Sequence, residues 1–325
     1  MIENINIEHY KCFEDFKIEG LGRINIISGK NNVGKTALLE AFLLTQAHAE
    51  ATIAKNRNID NSQYANYLRN FKYSIFTDGE YSAFNVKNKK DLNKVELEEV
   101  AKLNNDYNEF ICEYYDYSKG EKIEVRPLEK ERMYDADDVG DVSSYINSSK
   151  PNNKKLVELY SQIQTKGIQH KFLEYLQKLD DNIKWIEPQA LNNEMVLRVN
   201  LNNPKISLTT SELGEGVNRY IEILATMLSD NEYVFIDEIE NGLHYSKLVD
   251  IAKVIIEIAE SKNIQVFITT HDKDVIEAFA FACEDLEFKD LCSIELYKDE
   301  DNNLNAVSRT AEQFVATVNA GMEVR

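Results

Sequence analysis

Gly29-Lys30-Asn31-Asn32-Val33-Gly34-Lys35-Thr36 fits the pattern G-x-x-x-x-G-K-[ST] at every fixed position. Glycines let such a loop curl until successive backbone N–H groups face one point, and a helix starting at its end adds the positive pole of its dipole. Residues 23–27 (Arg-Ile-Asn-Ile-Ile) read as a strand leading in. Residues 36–50, rich in Ala and Leu without Gly or Pro, read as a helix leading out. That is the context a phosphate-binding loop needs. With average residue usage, a chain this long meets the pattern by chance roughly once in a hundred. The stretch predicts an α/β fold in which Gly29, Lys30, Asn31, Asn32, Val33, Gly34, Lys35 and Thr36 surround phosphates. Lys35 would reach the β- and γ-phosphates and the Thr36 hydroxyl would ligate Mg²⁺.

Downstream, Tyr233-Val234-Phe235-Ile236-Asp237-Glu238 is an apolar strand ending in two carboxylates. On its own this would be a strand running into an acidic turn. Beside a phosphate loop, two adjacent acids can divide metal binding (Asp237) from water activation (Glu238). Residues 245–260 read as a helix and 264–270 as a second buried strand. Strand, helix and strand of these lengths make a parallel crossover, which brings both strand ends to one sheet edge, where ligands bind in α/β folds. His271 follows the second strand, positioned to hydrogen-bond a γ-phosphate and an attacking water. His9, His48, His170 and His244 lack that context. A further segment, Ser211-Glu212-Leu213-Gly214-Glu215-Gly216-Val217-Asn218-Arg219, lies at the start of a helix expected over 215–228. Gly214 and Gly216 free N–H groups there for an anion, with Ser211 close by. The chain already has a phosphate loop, so this second anion-binding helix start needs a different task.

The order of these motifs resembles the ABC-class ATPases that include the chromosome-maintenance, RecF-like and OLD (overcoming lysogenization defect) groups. The resemblance is nearest to the OLD-like AAA-type ATP-binding proteins. It is carried by Leu213-Gly214-Glu215-Gly216, by Asp237-Glu238-Ile239-Glu240-Asn241-Gly242-Leu243-His244-Tyr245-Ser246, by Gln265-Val266-Phe267 and by Gly321-Met322-Glu323-Val324-Arg325. It is specific over residues 205–280 and weak in the middle of the chain. It implies an ABC-type core with a mixed, largely parallel sheet, ATP and Mg²⁺ as cofactors, and ATP hydrolysis. It also implies a head-to-tail homodimer, or a higher homo-oligomer, with two ATP molecules sandwiched at the interface. Asp237 carries over as the Mg²⁺-side acid, Glu238 as general base, and His271 as the switch histidine. Residues 241–244 become the loop that crosses the interface, and the glycine segment caps the partner's γ-phosphate. Three departures stand out. Gly214 occupies the usual signature serine position, leaving Ser211 as a candidate substitute. His244 stands where many such ATPases have Asp, and the glutamine that touches Mg²⁺ is not identifiable. In the OLD-like group the implied role is a sensor ATPase in anti-phage defence that controls a separate effector nuclease. The alternatives are a RecF/SMC-like DNA-repair ATPase, or a nucleotide-dependent scaffold with little turnover. Too few residues follow His271 for a TOPRIM nuclease domain of ordinary size.

Residues 51–184 differ in character, being rich in Asn, Asp, Lys and Tyr. Strands are expected at 82–86, 109–115 and 122–125, and two helices within 155–179, broken at Gly167. This gives a core of residues 1–50 and 185–325 and an insertion, 51–184, made of a small sheet and a helical arm. The 325 residues carry a net charge of −19, which opposes a generally basic nucleic-acid surface while leaving room for a local groove. Cys12, Cys112, Cys283 and Cys292 form no C-x-x-C pair, which argues for buried thiols in a reducing cytosol over a zinc or redox site. Without a signal peptide or an apolar run of membrane-spanning length, a cytoplasmic protein with no membrane partner is expected. Asn88-Lys89-Lys90-Asp91 spells a guanine-reading motif, but it precedes the acidic strand, whereas in GTPases it follows. Asp135-Ala136-Asp137-Asp138 reads as a solvated loop and Asp299-Glu300-Asp301 as a turn. Tyr10 and Phe13 are the candidates for stacking on the nucleotide base.

Overall fold

The computed structural model describes residues 1–44, 74–77, 110–116, 121–128, 143–191, 194–203 and 205–322. The strands are β1 (Asn4–Tyr10), β2 (Phe13–Glu19), β3 (Ile24–Gly29), β4 (Ser74–Thr77), β5 (Phe110–Asp116), β6 (Glu121–Leu128), β7 (Ser143–Ile146), β8 (Ile183–Leu191), β9 (Glu194–Leu201), β10 (Ser207–Thr209), β11 (Tyr233–Ile236), β12 (Gln265–Thr269), β13 (Leu291–Lys298) and β14 (Leu304–Thr310). The helices are α1 (Lys35–Leu44), α2 (Asn153–Thr165), α3 (Gln169–Leu179), α4 (Glu215–Leu228), α5 (Leu248–Lys262), α6 (Lys273–Asp285) and α7 (Ala311–Asn319). By contacts the chain divides into one unit of Met1–Gly22, Lys30–Ser143 and Leu296–Ser308, and another of Arg23–Gly29, Ser144–Glu295 and Arg309–Arg325.

In the first unit β1 pairs antiparallel with β2, Ile5 opposite Ile18 and Ile7 opposite Phe16, and β4 pairs on the other side of β1. Lys11, at φ +51°, makes the tight hairpin turn. β5 and β6 form a separate antiparallel pair.

A six-stranded sheet has the order β14-β13-β3-β12-β11-β7, and its strands β3, β12 and β11 lie wholly in the second unit. β3, β12 and β11 are parallel neighbours, with Ile24 beside Val266 and Tyr233 beside Gln265. Every residue of β3, β11 and β12 is buried, which explains their near-continuous apolar sequences: a parallel strand covered on both faces has no polar side to show. The amide of Asp237 donates to the carbonyl of Ile146 at 2.9 Å, so β7 ends level with β11. Gly29, Ile236, Thr269 and Ile146 thus terminate along one edge. The expected ABC-type α/β fold with a mixed, largely parallel sheet is present, and a separate antiparallel sheet of order β10-β9-β8 accompanies it.

α4 is buried continuously from Asn218 to Leu228, polar residues included, and forms the centre of the helical layer. The two helices expected in the middle of the chain are α2 and α3. They are separated at Gly167, whose φ of +68° takes the left-handed turn that favours glycine. Leu156, Tyr160, Phe172 and Leu176 pack into the same apolar cluster as α4 and α5. The contact division therefore falls between Ser143 and Ser144, and β8 straddles the composition boundary drawn at 184/185. Residues 245–260, expected as one helix, begin as a 3₁₀ turn (Tyr245–Lys247) before α5, which Asn263 ends at φ +59°. The turn at Asp299 is tied by its own carboxylate, which accepts from the amides of Asp301 (3.0 Å) and Asn303 (2.8 Å). The strand expected at 82–86, the motif at 88–91 and the acidic run at 135–138 lie outside the described residues. No helix of the described residues is long and apolar enough to cross a membrane.

Candidate functional site

The phosphate-loop reading meets a strongly curled backbone. Gly29 (φ +146°), Asn32 (+61°) and Gly34 (+116°) all sit at positive φ, where Gly and Asn are the residues of least cost. The buried Lys35 sends its Nζ back to the carbonyl of Lys30 at 3.0 Å, closing the loop on itself. Val33 is buried beneath, while Lys30, Asn31 and Asn32 are exposed. A Cβ on Gly34 would stand 2.8 Å from Cys12 Sγ, which would have to move aside, and the φ of +116° itself favours glycine. Tyr10 and Phe13 are corrected: both are buried, Tyr10 donating to Glu40 at 3.3 Å and Phe13 packed on Phe16 with ring centroids 4.7 Å apart. They build the floor of this hairpin and have no face free for a base.

The carboxyl edge of β11 and β12 is held by a compact hydrogen-bond set. Thr269 Oγ donates to Asp237 Oδ1 at 2.7 Å and accepts from the Glu238 amide at 2.7 Å. Tyr145, on β7, donates to Asp237 Oδ2 at 3.4 Å. Glu238 is half-buried and lies at φ +46°, a strained conformation for a residue with a γ-carbon. Asn241 donates to Glu238 Oε2 at 3.0 Å and to the Ser148 carbonyl at 3.1 Å. His271, also half-buried, comes at the end of β12, and Glu240 Oε1 accepts its backbone amide at 2.9 Å. Asp237, Glu238 and His271 are thus assembled on one edge, as their positions in the sequence predict.

Behind this edge lies Arg219, the last residue of the 211–219 segment and one that no sequence motif assigns a role. It is 3% exposed. Its guanidinium donates to the carbonyls of Asp237 (2.8 Å) and Asn147 (2.5 Å) and pairs with Glu222 Oε2 at 3.2 Å, while Lys155 pairs with Glu222 Oε1 at 2.6 Å. α4 is thereby tied to the peptide between Asp237 and Glu238. Asn147 follows β7 at this edge, its Oδ1 accepting from the Ser149 hydroxyl at 2.6 Å and its carbonyl from Arg219.

The glycine segment is built differently. Gly214 caps α4 with φ −61° and ψ +156°, without a capping side chain. Nothing lies within 4 Å of where its Cβ would be. Gly216 is crowded, because a Cβ there would meet the carbonyl oxygen of Gly242 at 2.7 Å. The start of α4 therefore touches the loop of residues 241–244 within one chain. Ser211 is exposed and exchanges hydrogen bonds with Asn153, which also accepts from Thr210 at 3.0 Å. His244 accepts from the Ser246 amide at 3.3 Å and so caps the 3₁₀ turn. Among the described residues, no group of three His, Cys, Asp or Glu side chains could hold a metal ion alone.

Residues 24–277 match the family described as "AAA domain, putative AbiEii toxin, Type IV TA system". An "ATP/GTP phosphatase" of Helicobacter pylori is 22% identical over 348 residues, covering 93% of either chain. The DNA replication and repair protein RecF of Idiomarina loihiensis is 34% identical over 88 residues, 25% of either chain. Among solved structures, an SMC head bound to the C-winged helix domain of ScpA superposes with a TM-score of 0.53 at 14% identity, covering 96% of this chain and 98% of that one. An SMC head with an extended coiled coil, bound to the C-terminal domain of ScpA derived from Pyrococcus furiosus, gives 0.51 at 13%, covering 98% and 99%. At such identities the two structures speak for the fold alone.

Proposed function

Because the chain belongs to this AAA-domain family and is an ABC-type P-loop ATPase, we propose that it works as a nucleotide-driven switch. Two copies close head to tail over two ATP molecules, and hydrolysis reopens them. Residues 29–36 hold the phosphates, Glu238 takes the proton of the attacking water, and His271 hydrogen-bonds that water beside the γ-phosphate. Gly214, Gly216 and Ser211 meet the phosphate carried by the partner copy. The observation that supports this most is the parallel adjacency of β3, β12 and β11. The strand leading to the phosphate loop, the Asp237–Glu238 pair and His271 all issue from one sheet edge.

The donor set suits Mg²⁺. Thr36 and Asp237 offer one hydroxyl and one carboxylate oxygen, and Mg²⁺ is ordinarily held by one or two protein oxygens together with phosphates and water. When bound, the ion would neutralise phosphate charge. Thr269 and Tyr145 orient the Asp237 carboxylate by hydrogen bonds of their own. The strained backbone of Glu238, fixed through its amide by Thr269, holds the base without help from the nucleotide.

For the biological role we favour an OLD-like sensor ATPase in anti-phage defence that regulates a separate effector nuclease, a reading that rests on the motif strings. A RecF/SMC-like role on DNA is the second reading, favoured by the RecF segment and opposed by a net charge of −19. The deciding experiment is solution mass with and without ATP and Mg²⁺, for wild type and Glu238→Gln. ATP-dependent dimers that persist in the variant support the closing switch. A mass indifferent to nucleotide overturns it in favour of a preassembled scaffold.

A further inference from the structure

Glu240 is the acid the mechanism above leaves unused. Its side chain is 9% exposed, and its Oε1 lies 2.7 Å from Nδ1 of His271 while accepting the His271 backbone amide at 2.9 Å. Its other oxygen, Oε2, and His271 Nδ1 are both buried atoms without a hydrogen-bond partner. A buried ring nitrogen and a carboxylate thus sit in contact, Nδ1 within reach of Oε1 but not hydrogen-bonded to it. Catalytic hydrogen bonds are often misaligned before ligand binds and tighten in the reactive complex.

We propose that Glu240 is a positioning residue that holds His271 with its proton on Nδ1. This rests on the reading of His271 given above. A carboxylate beside Nδ1 requires N–H there, because two lone pairs facing each other repel. The neutral ring then presents a bare Nε2 as a hydrogen-bond acceptor. Nε2 accepts one O–H of the attacking water, whose other proton passes to Glu238, and no proton need pass to Glu240. The side chain of His271 is 41% exposed, so a ring anchored at Nδ1 keeps its outer nitrogen available. Glu240 is also the second residue after Glu238, and the amide of Ile239, between them, donates to the Thr269 carbonyl at 3.2 Å. The general base and the histidine's anchor are therefore carried by one short, pinned segment.

Glu240→Leu tests this, because leucine removes the oxygen that faces the ring; Glu240→Gln, which keeps an oxygen for both the ring and the His271 amide, is the conservative control. The protein, labelled with ¹⁵N-histidine, is compared with both variants, using His271→Ala to assign the resonances. ATP turnover is measured in parallel for each single variant and for Glu240→Leu combined with His271→Ala. The expected result is the Nδ1–H tautomer in wild type and in Glu240→Gln, its loss in Glu240→Leu, and a fall in kcat of about 10- to 100-fold in Glu240→Leu with little change in KM. The double variant should be no slower than His271→Ala. An unchanged tautomer in Glu240→Leu, or a lost one in Glu240→Gln, overturns the proposal even if turnover falls. A normal kcat in Glu240→Leu alongside a slow His271→Ala overturns it while leaving the role of His271 intact. A normal kcat in His271→Ala removes the histidine from the reaction and Glu240's positioning role with it.

Discussion

The edge at Asp237–Glu238 and the glycine segment at residues 211–216 belong to the same reading of the reaction, yet they are built in opposite ways. Asp237 is 6% exposed, and Thr269, Tyr145 and Arg219 hold its side chain or its carbonyl. Gly214 is exposed, begins its helix without a capping side chain and has open space where a side chain would be. The first region is determined by its own chain: buried donors and acceptors fix each atom before any ligand arrives. The second has no side chain over its helix start and open space beside it. The contrast teaches which part of the proposed site a single chain fixes by itself and which part the proposed dimer has to complete.

The largest effect should come from the determined edge. Glu238→Gln is expected to lower kcat by about 10²–10⁴-fold, the ordinary range for losing a general base, while nucleotide binding survives. Single-turnover kinetics with isothermal titration separates the two. Equal losses in binding and turnover would show that Glu238 supports the loop and not the chemistry, and the comparison would then rest on Asp237 alone.

Arg219→Met should cost nearly as much, but in stability. It strips two carbonyls of their donor and leaves the buried Glu222 carboxylate with Lys155 as its ion-pair partner. Breaking a buried pair from one side costs about 3–5 kcal/mol, which urea unfolding would register as a lower midpoint at unchanged m-value. Thr269→Val comes next, at about 1–3 kcal/mol, since one hydroxyl serves both Asp237 and the Glu238 amide. Thr269→Ser keeps the hydroxyl and should recover most of the turnover. Failure of that rescue would mean that β-branched packing, not the hydroxyl, sets the geometry of Glu238.

How far these features could be read from the sequence follows the same division. The phosphate loop, β11 and α4 announce themselves because each combines a local pattern with a local cause: glycine spacing, an all-apolar run or helical periodicity. β7 is four residues long, Ser143–Ile146, with one buried side chain, too short for any period to register. Its importance comes from lying beside β11, which no local pattern records. Arg219 reads as an ordinary charged residue on a helix until β11 and residue 147 close around it. Tyr10 and Phe13 failed in the other direction: a position in an N-terminal strand suggests a base-stacking ring, but only packing decides that both rings point inward. Glu240 has no role that a local pattern discloses, because its partner is 31 residues further along the chain.

The smallest expected effect is the sharpest test of the contrast. Gly216→Ala drives a methyl group into the backbone of Gly242 and should destabilise the isolated chain by about 1–3 kcal/mol, or shift the loop of residues 241–244. Gly214→Ala meets nothing within 4 Å at an ordinary negative φ, so its stability should stay within about 0.5 kcal/mol of wild type. If the segment is completed by a partner's phosphate, the harmless methyl of Gly214→Ala stands where that phosphate must approach. ATP-dependent dimerisation should then weaken while the monomer's stability and its affinity for nucleotide are preserved. Sedimentation with ATP in a Glu238→Gln background reads this directly. Dimers of undiminished strength in Gly214→Ala would mean that the openness around Gly214 serves no partner, and the two regions would differ in packing alone.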